Sequence, residues 1–232
     1  MVGVLKILSR HNIIKFSVMY ICNITRQTLV FIVAFSLIFQ PLFVQNAFAN
    51  PSNIVPDGHT NTTLDTSPNN LTIVEIATPT ASGTSMNSFD KFNVDQTGAI
   101  MNNSSIVVNT QLGGWIYANP HLANGTQASV IVGEVTSTAP SNLLGYTEIA
   151  GGKAEFVLLN PNGISCVGCG FLNINSLTLA TGSGIYNTDG SLASVNMGAG
   201  NFSVSGNGLD ASIVDYFRVI SKNVQLSAPI WA

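Results

Sequence analysis

Charge is what this sequence has least of: charged residues make up 8 % of the 232-residue chain, against 46 % hydrophobic residues. That scarcity leaves little material for a charged catalytic cluster, and it points to a surface covered by Asn, Ser, Thr and Gly. The few charges are also segregated. Lys6, Arg10, Lys15 and Arg26 lie in the first 26 residues, whereas all 11 acidic residues come after position 50. From Asn50 onward only Lys91, Lys153, Arg218 and Lys222 oppose them, a net charge of −7 with histidines neutral. Such an acidic body argues against nucleic acid as a partner, because that role needs a basic patch to neutralise phosphates.

Cysteine and histidine are scarce too, at three each. Cys22 falls in the basic leader, so the body keeps Cys166 and Cys169 as one Cys-x-x-Cys pair. Zinc wants four ligands, and only His59 and His121 remain, both distant in sequence, so no metal is expected. A redox pair usually opens a helix whose dipole lowers the thiol pKa, and this pair sits in glycine-rich strand sequence. What remains is a small structural disulfide or a pair of buried thiols.

Long hydrophobic runs are nearly absent as well. One uninterrupted run, residues 29–39, follows the basic leader. It is shorter than the roughly 18 to 20 residues of a membrane-spanning helix, which disfavours the alternative of an uncleaved anchor. Ala47-Phe48-Ala49 then places small residues at −3 and −1 of a cleavage site. We read residues 1–49 as a helical secretory signal peptide cut between Ala49 and Asn50. The leader is long, an extension familiar in very large bacterial exported proteins.

Helical periodicity is missing from Asn50 onward, apart from room for one short helix near Asn119 to Thr126. Residues 50–70 read as a polar, turn-rich lead-in or N-terminal cap, and residues 71–232 as one β domain. Residues 71–76 form the first convincing strand, rich in β-branched side chains. Phe89, Phe92 and Val94 follow, and the Phe89–Phe92 spacing breaks strict alternation, so a bulge or turn is expected between them. Apolar peaks beginning at Ile106, Val130, Phe156, Leu177, Phe202 and Val224 recur at 24, 26, 21, 25 and 22 residues. A period of roughly 20 to 25 residues with Gly or Asn between peaks marks a solenoid. The expected fold is all-β, a right-handed parallel β-helix, in preference to a β-sandwich, whose strands alternate at tighter spacing.

The sharpest feature is the corner Asn160-Pro161-Asn162-Gly163, set between the apolar run Phe156 to Leu159 and Ile164. Proline presets its φ and glycine accepts positive φ, so the chain turns there at little steric cost. Upstream stand Phe92-Asn93-Val94, Gly98 and Asn102-Asn103-Ser104, and downstream Cys166-Val167-Gly168-Cys169-Gly170-Phe171. Together with the intact Asn-Pro-Asn-Gly-Ile at Asn160 to Ile164, these residues resemble the N-terminal secretion domain of two-partner-secretion exoproteins. That is the filamentous haemagglutinin family of adhesins, haemolysins and contact-dependent inhibition toxins. The resemblance covers residues 71–224. It departs at Asn119-Pro120-His121-Leu122, where the family commonly has Asn-Pro-Asn-Leu.

The resemblance implies a non-enzymatic export module without a cofactor. Its partner would be an outer-membrane β-barrel transporter that recognises it through periplasmic polypeptide-transport-associated domains. The product would be secreted from, or displayed on, a Gram-negative bacterium. Asn103, Asn119, Asn160 and Asn162 would hold corners that shape the recognised surface. The chain ends on an apolar strand, so we expect it to open something longer or to be a truncated remnant. A downstream region would then engage host cells or neighbouring bacteria. Three rival classes are weighed against this. A polysaccharide-active β-helix enzyme would need Glu134, Glu148, Glu155, Asp189, Asp210 and Asp215, isolated in sequence, to converge. A stand-alone adhesin would stack host glycans on Trp115, Tyr117 or Tyr146. A eukaryotic secreted protein would account for the sequons beginning at Asn61, Asn70, Asn103, Asn124 and Asn201, but in an Asn- and Thr-rich chain these arise by chance.

Overall fold

The run Ala154–Leu159 is apolar on both faces, and two-sided burial is the reason. Phe156 and Leu158 enter one core, while Val157 and Leu159 enter another. Neighbouring strands share this arrangement, and its layout follows from the winding of the chain. The computed structural model describes residues 53–122 and 125–232. The proposed signal peptide and its cleavage point at Ala49 and Asn50 lie outside the described residues.

The described chain opens with β1 (Ile54–Pro56), β2 (Thr63–Thr66) and β3 (Thr72–Glu75), then winds through circuits of three short faces. The first circuit runs from β4 (Thr84–Phe92) through a single bridging residue, Val94, to β5 (Ala99–Asn103). It then leaves as a hairpin, β6 (Val108–Thr110) and β7 (Gly114–Ile116). The second is β8 (Val130–Val135), β9 (Ser141–Leu143) and β10 (Tyr146–Gly151). The third is β11 (Ala154–Leu159), β12 (Ile164–Cys166) and β13 (Cys169–Leu172). The fourth starts with β14 (Ile174–Ala180) and makes a hairpin of β15 (Gly182–Tyr186) and β16 (Leu192–Met197). It resumes with β17 (Phe202–Val204) and β18 (Leu209–Asp210). The last is β19 (Tyr216–Ile220), β20 (Val224–Leu226) and β21 (Ile230–Trp231).

Equivalent strands of successive circuits pair in parallel. The first face is β4-β8-β11-β14-β19, the second β9-β12-β17-β20, and the third β3-β5-β10-β13-β18-β21. This is a parallel β-helix. Residues 50–70, which the sequence marks as a polar lead-in or N-terminal cap, include two short strands. β1 pairs antiparallel with β4, and β2 with β3, which closes the edge that the first circuit would otherwise expose. The expected bulge is present: Val55 faces Lys91 and Pro56 faces Phe89, leaving Asp90 without a counterpart. Asp90 thereby lets Phe89 and Phe92 both point inward, with ring centroids 5.2 Å apart.

Register stacks like upon like inside the coil. Ile131, Phe156, Leu177 and Phe217 occupy one row, so each rung buries its apolar residue on the one below. The first two steps of that row are 25 and 21 residues; the third is 40, because β15 and β16 are inserted. The apparent spacing from Leu177 to Phe202 therefore joins different faces. Ile106, counted as a peak, lies in an exposed turn and on no rung.

The inserted hairpins fold back over outer faces. β6 and β7 cover Leu71, Ile73, Ile100 and Ala150 with Ile116, Val108 and Leu112. β15 and β16 cover Val132, Val157, Leu159 and Ala180 with Tyr186, Leu192 and Val195. A glutamate clamps each one. Buried Glu148 accepts the backbone N–H groups of Gln111 and Leu112, both at 2.8 Å. Glu134 accepts from Gly184 N–H at 3.0 Å and from the Tyr186 hydroxyl at 2.5 Å.

Cys166 and Cys169 form a disulfide at the corner from second to third face, with both residues buried in the main core. The closed loop is short, and by loop entropy alone the bond contributes about 2 kcal/mol. Cys166→Ser with Cys169→Ser should lower the thermal midpoint by ~4–8 °C in calorimetry. An unchanged midpoint would show that packing alone fixes this corner.

Candidate functional site

The asparagines singled out by sequence stand at two separate corners, and most are buried. Asn160 ends β11 where the chain passes from first to second face. Its amide donates to Ala139 O at 3.0 Å and Ser141 Oγ at 2.9 Å in the preceding circuit. Its Oδ1 accepts the Asn162 backbone N–H at 2.9 Å and the Asn162 amide at 3.2 Å. Asn162, half-buried, also donates to Ser137 O at 2.7 Å. Pro161 fills the first turn position, and Gly163 takes φ of 120°, a left-handed value that favours glycine. Backbone bonds from Asn160 N–H to Ala180 O and from Ile164 N–H to Asn201 O reach the following circuit. One four-residue corner thus ties three circuits together.

The second corner gathers Asn102, Asn103, Ser104 and Asn119 to Leu122 where the chain leaves the third face. Pro120–Leu122 is one 3-10 turn, inside the stretch expected to allow a short helix. Asn119 caps it, accepting His121 N–H at 2.8 Å, and donates to Ile76 O at 3.0 Å and Asn102 O at 2.8 Å. Leu122 is buried beneath the turn. The Asn102 amide donates to the Glu75 carboxylate (2.9 and 3.2 Å) and to Tyr117 O at 3.0 Å, while its Oδ1 accepts Ser104 N–H at 3.1 Å. Asn103 bonds both ways with the Ala128 backbone and donates to Gly152 O at 3.0 Å. His121 lies 3.0 Å from Thr63 Oγ1 and 3.4 Å from Asn61 Nδ2, linking the turn to the β2 segment.

Sequence reasoning missed two members of this edge. Asn173, at φ 57°, donates to Ile149 O at 2.7 Å and Gly151 O at 3.0 Å. Gly151 is the corner of the circuit between. A Cβ there would sit 2.7 Å from Asn103 O and 2.8 Å from Ser104 Cβ. Aligning the circuits on each other would have found both. Glu75 was also overlooked. Burial pushes its carboxyl up to about 7 against the pull of the Asn102 amide, and Asp65 adds repulsion.

The buried asparagines present little to a partner; what stands proud beside them is the outer surface of the β6–β7 hairpin. Trp115 is 66 % and Tyr117 80 % exposed, and Ile106 and Val107 are exposed next to them. No Asp, Glu, Lys or Arg occurs between Asp95 and Glu134. Four of the six carboxylates that an enzyme would need are taken up by bonds within the fold. Glu134 and Glu148 are the hairpin clamps, and Asp189 and Asp210 each hold the serine two residues on. Among the described residues no three of His, Cys, Asp and Glu group as metal ligands, and none of their helices is long and apolar enough to cross a membrane.

Comparison with known proteins decides the family. The model of the TPS secretion domain, the two-partner-secretion module, matches residues 52–232. The chain belongs to that family. This secretion domain is 43 % identical over 182 residues to the "16S rRNA endonuclease CdiA" of Enterobacter cloacae, covering 76 % of the chain and 5 % of that protein. It is 43 % identical over 175 residues to "Toxin CdiA" of Yersinia pestis, covering 75 % and 5 %. The chain thus spans about one-twentieth of the length of these curated relatives. The crystal structure of the filamentous hemagglutinin secretion domain superposes with a TM-score of 0.68 at 35 % identity, covering 76 % of this chain and 59 % of that one. The chain is therefore an N-terminal secretion module of the filamentous haemagglutinin or contact-dependent inhibition type, a secretion domain and not a catalytic one. Exoproteins with this domain are secreted from or displayed on Gram-negative bacteria, and the domain implies a partner outer-membrane transporter.

Proposed function

We propose that periplasmic polypeptide-transport-associated domains of the partner transporter recognise this secretion domain through the outer surface of the β6–β7 hairpin. The observation that carries the reading is the contrast in burial: Asn102, Asn103 and Asn119 are buried, while Trp115 and Tyr117 project beside them. Large exposed aromatics mark protein interaction sites. In this reading Asn102, Asn103, Ser104 and Asn119 to Leu122 erect the hairpin, and Asn160 to Ile164 keep the coil beneath it in register. The signal peptide takes the chain across the inner membrane, cleaved between Ala49 and Asn50. Stacking of circuits outside the cell then opposes backsliding. An adhesive or toxic activity toward host cells or neighbouring bacteria would reside in a downstream region.

The test is capture of the purified chain by the periplasmic region of the transporter encoded nearest its gene. Trp115→Ala with Tyr117→Ala should weaken capture at least tenfold, ~1.4 kcal/mol or more, with an unchanged far-ultraviolet spectrum. Wild-type capture by that folded double variant would move the contact elsewhere.

A further inference from the structure

On the outer side of the third face, beyond the part covered by the β6–β7 hairpin, Tyr146, Gly170, Asp210 and Trp231 occupy one row across β10, β13, β18 and β21. Tyr146, Asp210 and Trp231, with Gly168, Cys169, Asn207 and Ser212, line an open cavity of about 510 Å³. Two glycines make room for the aromatic rings. A Cβ on Gly170 would fall 2.2 Å from Tyr146 Cε1, and one on Gly208 would fall 2.8 Å from Trp231 Cζ3, so each ring lies over a glycine of the neighbouring rung. Rungs are ~4.8 Å apart, which sets the backbones of the two aromatic residues ~14 Å apart, and their side chains lean toward each other across that span. Both rings keep exposed surface, with Tyr146 at 36 % and Trp231 at 49 %.

We propose that this row binds a neutral sugar. Pyranose rings offer flat apolar C–H faces that suit exposed aromatic rings, and hydroxyls that need partners at the ring edge. Those partners are present. Asp210 Oδ1 is filled by Ser212, whose N–H and hydroxyl donate at 3.0 and 2.6 Å. Asp210 Oδ2 accepts from the Tyr146 hydroxyl at 2.8 Å and keeps acceptor capacity for a sugar hydroxyl. Asn207 is exposed and lends an amide. Charge selects against acidic sugars: no Lys or Arg lines the cavity, and the Ser212 bonds hold Asp210 below the usual carboxylate range, keeping it ionised. The Tyr146 hydroxyl reaches Asp210 and the Trp231 ring lies back over Gly208, so the two side chains converge on one binding site. This site does not depend on how the transporter is recognised, since it lies outside the hairpin proposed for that contact.

The experiment is calorimetric titration of the full chain with maltotriose, cellotriose and triacetylchitotriose, and with sialyllactose and a heparin tetrasaccharide as acidic probes. At least one neutral trisaccharide should bind with Kd of about 1 mM or tighter, and the acidic probes at least tenfold more weakly. Trp231→Ala and Tyr146→Ala should each weaken binding tenfold or more while the thermal midpoint shows the chain folded. Ile185→Ala, on the other hairpin, should bind as wild type. The proposal is overturned by no neutral binding at about 10 mM, by preference for an acidic probe, or by undiminished binding in the folded Trp231→Ala chain.

Discussion

Asn160→Ala should lower the stability of the domain by about 3–5 kcal/mol. The side chain is fully buried and makes four bonds: two donated, to Ala139 O and Ser141 Oγ, and two accepted, from the Asn162 backbone and amide. Alanine leaves the buried Ser141 hydroxyl and the part-buried Ala139 carbonyl and Asn162 N–H groups without that partner, at about 1–3 kcal/mol for each orphaned polar group. The terms overlap, because Asn162 can turn outward, so the sum stays below the arithmetic maximum. Asn162→Ala removes a half-buried amide and should cost about 1 kcal/mol. Urea unfolding measures both. Under native conditions Asn160→Ala should lose transporter capture only in proportion to its unfolded fraction. Full stability with lost capture would instead make the asparagine itself the contact, and the burial argument would fail.

Much of the coil could be read from the sequence because its signals are local. The two-sided apolar run around Phe156, the bulge between Phe89 and Phe92 and the Asn160 to Gly163 corner are each written within a few residues. The hairpins were not legible. β6 and β7 are three-residue strands, and their apolar members are explained only by an outer face formed from Ile73, Ile100 and Ala150 on three other strands. Glu134 and Glu148 looked isolated for the same reason, their partners lying 36 to 52 positions away. The asparagines were legible as turn formers but not as brackets between circuits. Asn103 reaches Gly152 O, 49 residues on, and no local pattern encodes that pairing. A solenoid makes such contacts systematic, since one turn in sequence equals one rung in space. What the sequence conceals is therefore mainly where a circuit has been lengthened by an insertion, as between Leu177 and Phe217.

Stability should fall as pH rises from about 4.5 to about 7, by about 2–3 kcal/mol, because of Glu75. This carboxyl is buried on β3, bonded to the Asn102 amide, with Asp65 as the charged neighbour on β2. Burial raises it from 4.5 in the unfolded chain to about 7 in the fold. Between those values the folded state holds a proton that the unfolded state has released, so each step upward in pH favours unfolding. The contribution is fully present below about 4.5 and lost above about 7; a shift of this size corresponds to ~3 kcal/mol, reduced where solvent screens the site. Glu75→Gln keeps an oxygen for Asn102 but cannot ionise. Denaturation at pH 4.5, 6 and 7.5 should therefore show the wild type losing more stability than the variant across that window, with the two chains closest at the acid end. Parallel curves would mean that Glu75 stays ionised throughout, held by Asn102 strongly enough to overcome its burial. A difference that grew toward acid pH would reverse the sign of the effect, and would place the charged form of Glu75 among the groups that hold the second corner closed.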